Sequence, residues 1–167
     1  MIRAHNYSVR LATAADADEA MKCVILSRKF MASNGNPYQW NDSYPSKELI
    51  LQDVEKKIGY VILDDKSCVI AYFAFIIGED PTYKIIDGKW SSKSLYGTVH
   101  RIASDCVHKD VAKTCFDYCR TLISYLRCDT HECNQPMRRA MEKYGFKECG
   151  IIYLENGDPR VAFDFTA

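Results

Sequence analysis

Four histidines and eight cysteines are the side chains of this sequence best suited to chemistry. A neutral imidazole titrates near pH 7 and can take up or give back a proton. His100 falls within the strand-forming segment Thr98 to Ser104, and His131 closely follows the segment Leu126 to Asp129. The cysteines are Cys23, Cys68, Cys106, Cys115, Cys119, Cys128, Cys133 and Cys149. None forms a C-x-x-C pair and no spacing matches a zinc template, so no metal is expected. Most lie in apolar stretches such as Cys68-Val69-Ile70, where a free thiol packs as a small hydrophobe. Reduced structural cysteines in a reducing cytoplasm are the expectation.

The elements that must position these groups come from a chain of 167 residues, a length suited to one domain over residues 1–167. Hydrophobic residues make up 47% of it, enough for a core, and 22 basic residues balance 22 acidic ones. That balance gives nothing to drive counterion release from a nucleic acid, so no such partner is expected. The longest apolar run, Cys68 to Ile77, is too short to span a bilayer, and Met1 to His5 carries no apolar signal stretch. A soluble, cytoplasmic protein follows.

Periodicity orders the elements. Ser8 to Ala12 alternates as a strand, and Thr13-Ala14-Ala15-Asp16 has the form of a helix start, with Gly35 as the stop. A second helix opens at Ser46 and closes at Gly59. Tyr60 to Leu63 and Cys68 to Ile77 are strands, the latter apolar on both faces and therefore central. Gly78 to Gly97 is a 20-residue connection of the kind that walls a site, and its acids Glu79, Asp80 and Asp87 would favour a cationic amine. Thr98 to Ser104 is a strand, Val111 to Ile123 an amphipathic helix, and Leu126 to Asp129 a short strand. A last helix starts at Asn134 and stops at Gly145. Strands near Phe146 to Leu154 and Val161 to Phe165 close the chain around an Asn156-Gly157 turn.

This order of elements, with the local text Asn36-Pro37-Tyr38-Gln39-Trp40, His100-Arg101-Ile102-Ala103-Ser104, Asp129-Thr130-His131-Glu132-Cys133-Asn134 and Lys143-Tyr144-Gly145-Phe146, resembles the GNAT superfamily of acetyl-CoA-dependent N-acetyltransferases, in a bacterial subgroup of unassigned substrate. The resemblance implies an α/β fold: a mixed, mostly antiparallel sheet of about seven strands with a splayed parallel pair, flanked by about four helices. It implies acetyl transfer to a primary amine of a small molecule or peptide, by direct attack in a ternary complex. Acetyl-CoA, the donor, would lie against Ile102, Ala103 and Ser104. Its pyrophosphate would rest on the loop and helix start His108, Lys109, Asp110, Val111, Ala112 and Lys113, and Asn134 would both cap its helix and contact the donor. His131 and His100 are the candidate proton carriers, and His131→Gln should lower turnover more than affinity for acetyl-CoA. Tyr38, Trp40 and Tyr44 would wall the acceptor pocket. The protein would be a monomer or homodimer.

Three positions depart from the family pattern. The loop Q/R-x-x-G-x-G/A reads Val107-His108-Lys109-Asp110-Val111-Ala112, with Val107 in place of the polar or basic residue and an aspartate at the first glycine. A carboxylate capping the helix there would repel a diphosphate by roughly 4 kcal/mol at about 4 Å and an effective dielectric near 20. The tyrosine that many members use as an acid is Met141, and Tyr144 does not substitute for it. The alternative reading is therefore a GNAT-fold binding protein without efficient transfer.

Overall fold

The computed structural model describes residues 5–167; of the N-terminal stretch discussed above, Met1 to Ala4 lie outside them. In chain order the strands are β1 (Ser8–Leu11), β2 (Gly59–Leu63), β3 (Val69–Ile77), β4 (Asp87–Gly88), β5 (Gly97–Ser104), β6 (Tyr125–Thr130), β7 (Lys147–Tyr153) and β8 (Pro159–Thr166). The helices are α1 (Ala17–Ser33), α2 (Lys47–Glu55), α3 (Val111–Leu122) and α4 (Gln135–Tyr144). All eight strands form one sheet in the order β1-β2-β3-β5-β6-β8-β7-β4. Only β5 and β6 run parallel; every other neighbouring pair is antiparallel. The eighth strand, beyond the expected seven, is β4, a two-residue piece of the long connection paired with β7. That pairing needs glycine on both sides, because a Cβ on Gly88 or Gly150 would lie 2.1 Å from the facing backbone.

Local signals set most boundaries and moved three. Ala14–Asp16 is a 3-10 turn and α1 begins only at Ala17, because the Asp16 carboxylate takes the Thr13 amide and the Arg10 guanidinium at 2.7–3.0 Å. The left-handed stop after α2 falls on Lys57 (φ 57°), not Gly59. Gly59 instead opens β2, and a Cβ there would come within 3.0 Å of the Tyr72 hydroxyl. Asn134 caps α4 as expected, its side chain accepting from the Met137 amide, and Gly145 (φ 118°) ends it.

β3 is apolar throughout because both its faces are covered. Phe73 and Phe75 join Val99, Phe116, Leu126, Cys128 and Met141 beneath α3 and α4. Tyr72 joins Val24, Trp40, Ile50 and Val61 beneath α1 and α2. Cys23, Cys115, Cys119 and Cys128 are buried free thiols in these layers, whereas Cys68 and Cys106 are exposed. A third cluster forms under the long connection from Tyr83, Tyr96, Tyr125, Ile152 and Ala162. Beside it the Arg127 guanidinium lies 4.1 Å from the Trp90 ring centre and 3.9 Å from that of Tyr96, and donates to Tyr125 and to the Ser92 carbonyl. Asp164 accepts from the Ser91 amide and hydroxyl and from Tyr125. Cation–π attraction and these bonds hold the connection as a fixed wall.

β5 carries the irregularity that shapes the site. Two of its residues, Arg101 and Ile102, oppose one residue of β3, and Arg101 takes φ 56°. Such a bulge bends its strand and increases its twist. The left-handed backbone is strained for a side chain of this size and persists only where its surroundings hold it. They do: Arg101 donates to both oxygens of buried Asp53 on α2, at 2.8 and 3.1 Å, and the Tyr72 hydroxyl donates to the same carboxylate. Removing one partner strands the other charge in the interior. Asp53→Ala is therefore expected to destabilise the protein by about 3–5 kcal/mol, measured by urea denaturation; a midpoint equal to that of the parent would refute this account of the bulge.

Candidate active site

β5 and β6 are joined only at Gly97↔Leu126 and Thr98↔Arg127. Beyond these two pairs the bulge carries β5 away, and a slot opens between neighbouring parallel strands. Continuing the register places His100 opposite Asp129 across the slot. Over it lies a cavity of about 500 Å³, walled by the segment after α1, the long connection and the β7–β8 turn.

His100 stands in this cavity with its Nε2 at 3.0 Å from Asp80 Oδ2. Asp80 comes from the long connection and also accepts from the Thr82 amide and hydroxyl. Burial pushes the Asp80 carboxyl up, but the bonds from His100 and Thr82 overcome this and hold it down to about 2. An ionised Asp80 accepts Nε2–H, fixes the ring and leaves Nδ1 as the basic nitrogen. Asp129 accepts a 2.6 Å bond from the buried Tyr83 hydroxyl. Its carboxyl is raised by burial, against the opposing pull of His100, Tyr83 and Arg160. A histidine oriented by one carboxylate thus faces a second carboxylate, less acidic than usual, across the slot.

The wall after α1 is tied to the start of α4 by one side chain. Gln39 Oε1 accepts from Thr130 Oγ1, the His131 amide, Asn134 Nδ2 and Asn36 Nδ2, all at 3.1–3.2 Å. Tyr38, Trp40 and Tyr44 all line the cavity. His131 does not: it stacks on Tyr38 with ring centres 5.5 Å apart, and its Nδ1 accepts from the Cys133 amide. Burial, then the charge of Arg160, lower its pKa. Asn134 lines the cavity while capping α4, and its amide nitrogen is committed to Gln39.

The three residues expected along the donor differ in what they offer. The Asp105 amide donates to Ile70 of β3, so strand alternation turns Ala103 toward β3 and Ile102 and Ser104 toward the slot. Ile102 lines the cavity. Both backbone groups of Ser104 are engaged by the Ser27 hydroxyl of α1, at 2.9 and 3.1 Å. Ala103 is buried and paired with Tyr72. Only Ile102 therefore presents backbone to an entering chain.

The expectation that Asp110 caps α3 is corrected. Its side chain makes no capping bond; its backbone is left-handed (φ 60°, ψ 24°), the conformation a glycine would supply there, and its carboxylate lies 3.4 Å from His5 Nε2. Aspartate is among the few side-chain-bearing residues that tolerate this conformation. Asp105 instead binds the loop, accepting from the Val107 and His108 amides and from His108 Nδ1. The amides of Val111, Ala112 and Lys113 keep the unpaired, positive end of α3. A second cavity of about 210 Å³ lies there, between Asp110–Lys113 and the last turn of α4. Val107 and Lys109 are exposed, and Lys113 pairs with Asp117. Met141 is fully buried in the core, and the Tyr144 hydroxyl donates to Asp117.

No protein-family model and no curated protein matches the chain. Solved structures do. A GNAT-family acetyltransferase from Streptococcus agalactiae 2603 is 28% identical, with 98% of each chain covered and a TM-score of 0.87. This chain belongs to the GNAT superfamily. A GNAT-family acetyltransferase from Listeria monocytogenes 4b F2365, 16% identical over 98% of each chain, shares the fold with a TM-score of 0.71. So does yncA from Salmonella typhimurium, solved with its cofactor acetyl-CoA: 13% identity, 96% of this chain and 93% of that one, and a TM-score of 0.61.

Sequence reasoning had named His100 and the aromatic wall but missed Gln39, Tyr83, Asp129 and Arg160. Asp129 could have been found, since strand alternation puts it on the face of His100. The pairing of Asp80 with His100 spans 20 residues and follows only from the path of the connection. Because the folded-state pKa of Asp80 lies below its unfolded value, its contribution to stability is present above pH 4 and lost as pH falls toward 2. Asp80→Asn should flatten the stability profile between about pH 4 and 2; thermal unfolding across that range that keeps the parent's slope would exclude the pair as its source.

Proposed function

We propose that this GNAT protein transfers the acetyl group of acetyl-CoA to a primary amine, by direct attack with donor and acceptor bound together. The observation that carries the reading is the slot itself: two parallel strands part after two residue pairs and expose His100, oriented by Asp80, opposite Asp129. Acetyl-CoA supplies a thioester. The residues that suit it are Ile102, whose backbone edge is free at the slot, and Val111, Ala112 and Lys113, whose amides form an anion site at a helix N-terminus. The Salmonella protein that holds acetyl-CoA shares this fold, which supports the same donor here. Free thiols and a donor of this kind both fit a reducing cytoplasm.

The acceptor must lose a proton before its nitrogen can attack. Asp129 attracts the ammonium, and His100 takes the first proton at Nδ1. The second proton, released as the amide forms, passes to the departing sulfur. His131 supports the wall through Tyr38 and is assigned no proton. What counts against the non-catalytic alternative is the turn of the Asp110 carboxylate toward His5, which leaves the helix amides free.

His100→Gln is expected to lower kcat about 100-fold or more, the usual scale for a lost general base, with unchanged acetyl-CoA affinity by calorimetry. His131→Gln should act mainly on acceptor KM. Equal kcat in parent and His100→Gln would remove His100 from the mechanism. With its carboxylate turned aside, Asp110→Gly should tighten acetyl-CoA binding by less than about tenfold (about 1.4 kcal/mol); a thousandfold gain would restore the aspartate as an obstacle.

A further inference from the structure

Arg160 is 6% exposed and lines the main cavity, yet among the described residues the only hydrogen bond of its side chain goes to the carbonyl of the preceding Pro159, at 2.9 Å. Among the described residues no carboxylate oxygen comes within 4.0 Å of it. Two other interior arginines are satisfied: Arg101 by Asp53, and Arg127 by two aromatic faces, a hydroxyl and a carbonyl. A guanidinium carries five N–H donors in a planar fork matched to a carboxylate, and an interior charge is normally paired. One left open toward a cavity is built for a partner that arrives from outside.

The sheet register places this group relative to the reacting centre. Asp129 pairs with Ala162, and Arg160 precedes Ala162 by two residues, so both side chains leave the same face one rung apart. Neighbouring positions of this kind lie about 7–8 Å apart at the backbone, within reach for long side chains. The charge of Arg160 is felt at both Asp129 and His131. Asp158, the nearest acid in sequence, is exposed, and its carboxylate accepts from the Asn156 side chain instead.

Resting on the acetyl-transfer reading above, we infer that the acceptor is a compact amine that also bears a carboxylate, an amino acid or a close relative, with Arg160 gripping the carboxylate while Asp129 and His100 face the amine. A polyamine would set a second cation against Arg160, and like charges at such separations disfavour binding. A phosphate would meet the same guanidinium, so the test carries a separate arm for it.

The full chain is assayed for thiol release from acetyl-CoA with single α-amino acids, each against its own carboxamide, and with O-phosphoethanolamine and putrescine. Binding of each amine is measured in parallel by calorimetry with the chain alone. The acids should be preferred to their carboxamides by about 30-fold or more in kcat/KM, the scale on which a buried charge partner is lost. The preference should fall to near unity in Arg160→Gln and return in part in Arg160→Lys. Arg160→Gln should unfold at the parent's temperature or above it, since it removes an unpaired interior charge. Carboxamides or putrescine used as well as the acids overturn the inference, as does a preference that survives Arg160→Gln. Phosphoethanolamine favoured over every acid overturns the carboxylate assignment. A lower unfolding temperature with equal loss for all amines makes Arg160 structural. If acetyl-CoA does not bind, the transfer reading fails, while carboxylate binding that disappears in Arg160→Gln still upholds the site; binding of acetyl-CoA with no amine bound or used overturns it.

Discussion

A strained residue held by a buried ion pair sets the geometry of this molecule. Parallel strands normally stay bonded along their length, and parting them removes backbone hydrogen bonds from the interior. Here the pairing ends at Thr98, three residues before Arg101 adopts a left-handed backbone within β5. Asp53, reached from α2 and shared with Tyr72, keeps that conformation in place. Replacing such a pair with apolar groups is often neutral for stability, so its role is better sought in shape. The pair fixes the bend, the bend opens the slot, and the slot exposes both Ile102 and His100.

The opposite wall is fixed by different means. Gln39 gathers four donors from the segment after α1, the end of β6 and the start of α4. A neutral carbonyl can do this without the desolvation cost of a carboxylate. The long connection is held by aromatic packing around Arg127, which pairs with Thr98 at the base of the slot, and by Asp164. That anchorage leaves Asp80 and Tyr83 in fixed positions to orient His100 and to bond Asp129. Side chains held this way are preorganised and need little rearrangement.

The start of α3 shows how a departure from a sequence pattern can keep the pattern's backbone conformation. Glycine is common at such starts for its conformation, and Asp110 reaches the same left-handed conformation. Its carboxylate lies 3.4 Å from His5 Nε2 and makes no bond to the helix amides. The loop's own negative charge, Asp105, is absorbed by two amides and a histidine. The cavity at α3 is thus lined by helix-start backbone, whereas the main cavity is lined by charged side chains.

The order of elements, the central place of β3, the cap at Asn134 and the stop at Gly145 were all legible in the sequence, because periodicity and capping are local properties of a few neighbouring residues. So was the aromatic character of the segment after α1, which lines the main cavity. The eighth strand was not, since β4 exists only because two glycines 62 residues apart meet without side chains between them. Nor were the pairs Asp80–His100, Tyr83–Asp129 and Asp53–Arg101, each joining residues 20 to 48 positions apart. Local sequence determined which segments are strands and helices, but only tertiary packing decided which charges meet. Electrostatic partners are chosen by proximity in space and by burial: the path of the long connection brings Asp80 and Tyr83 to β5 and β6, and α2 brings Asp53 to Arg101.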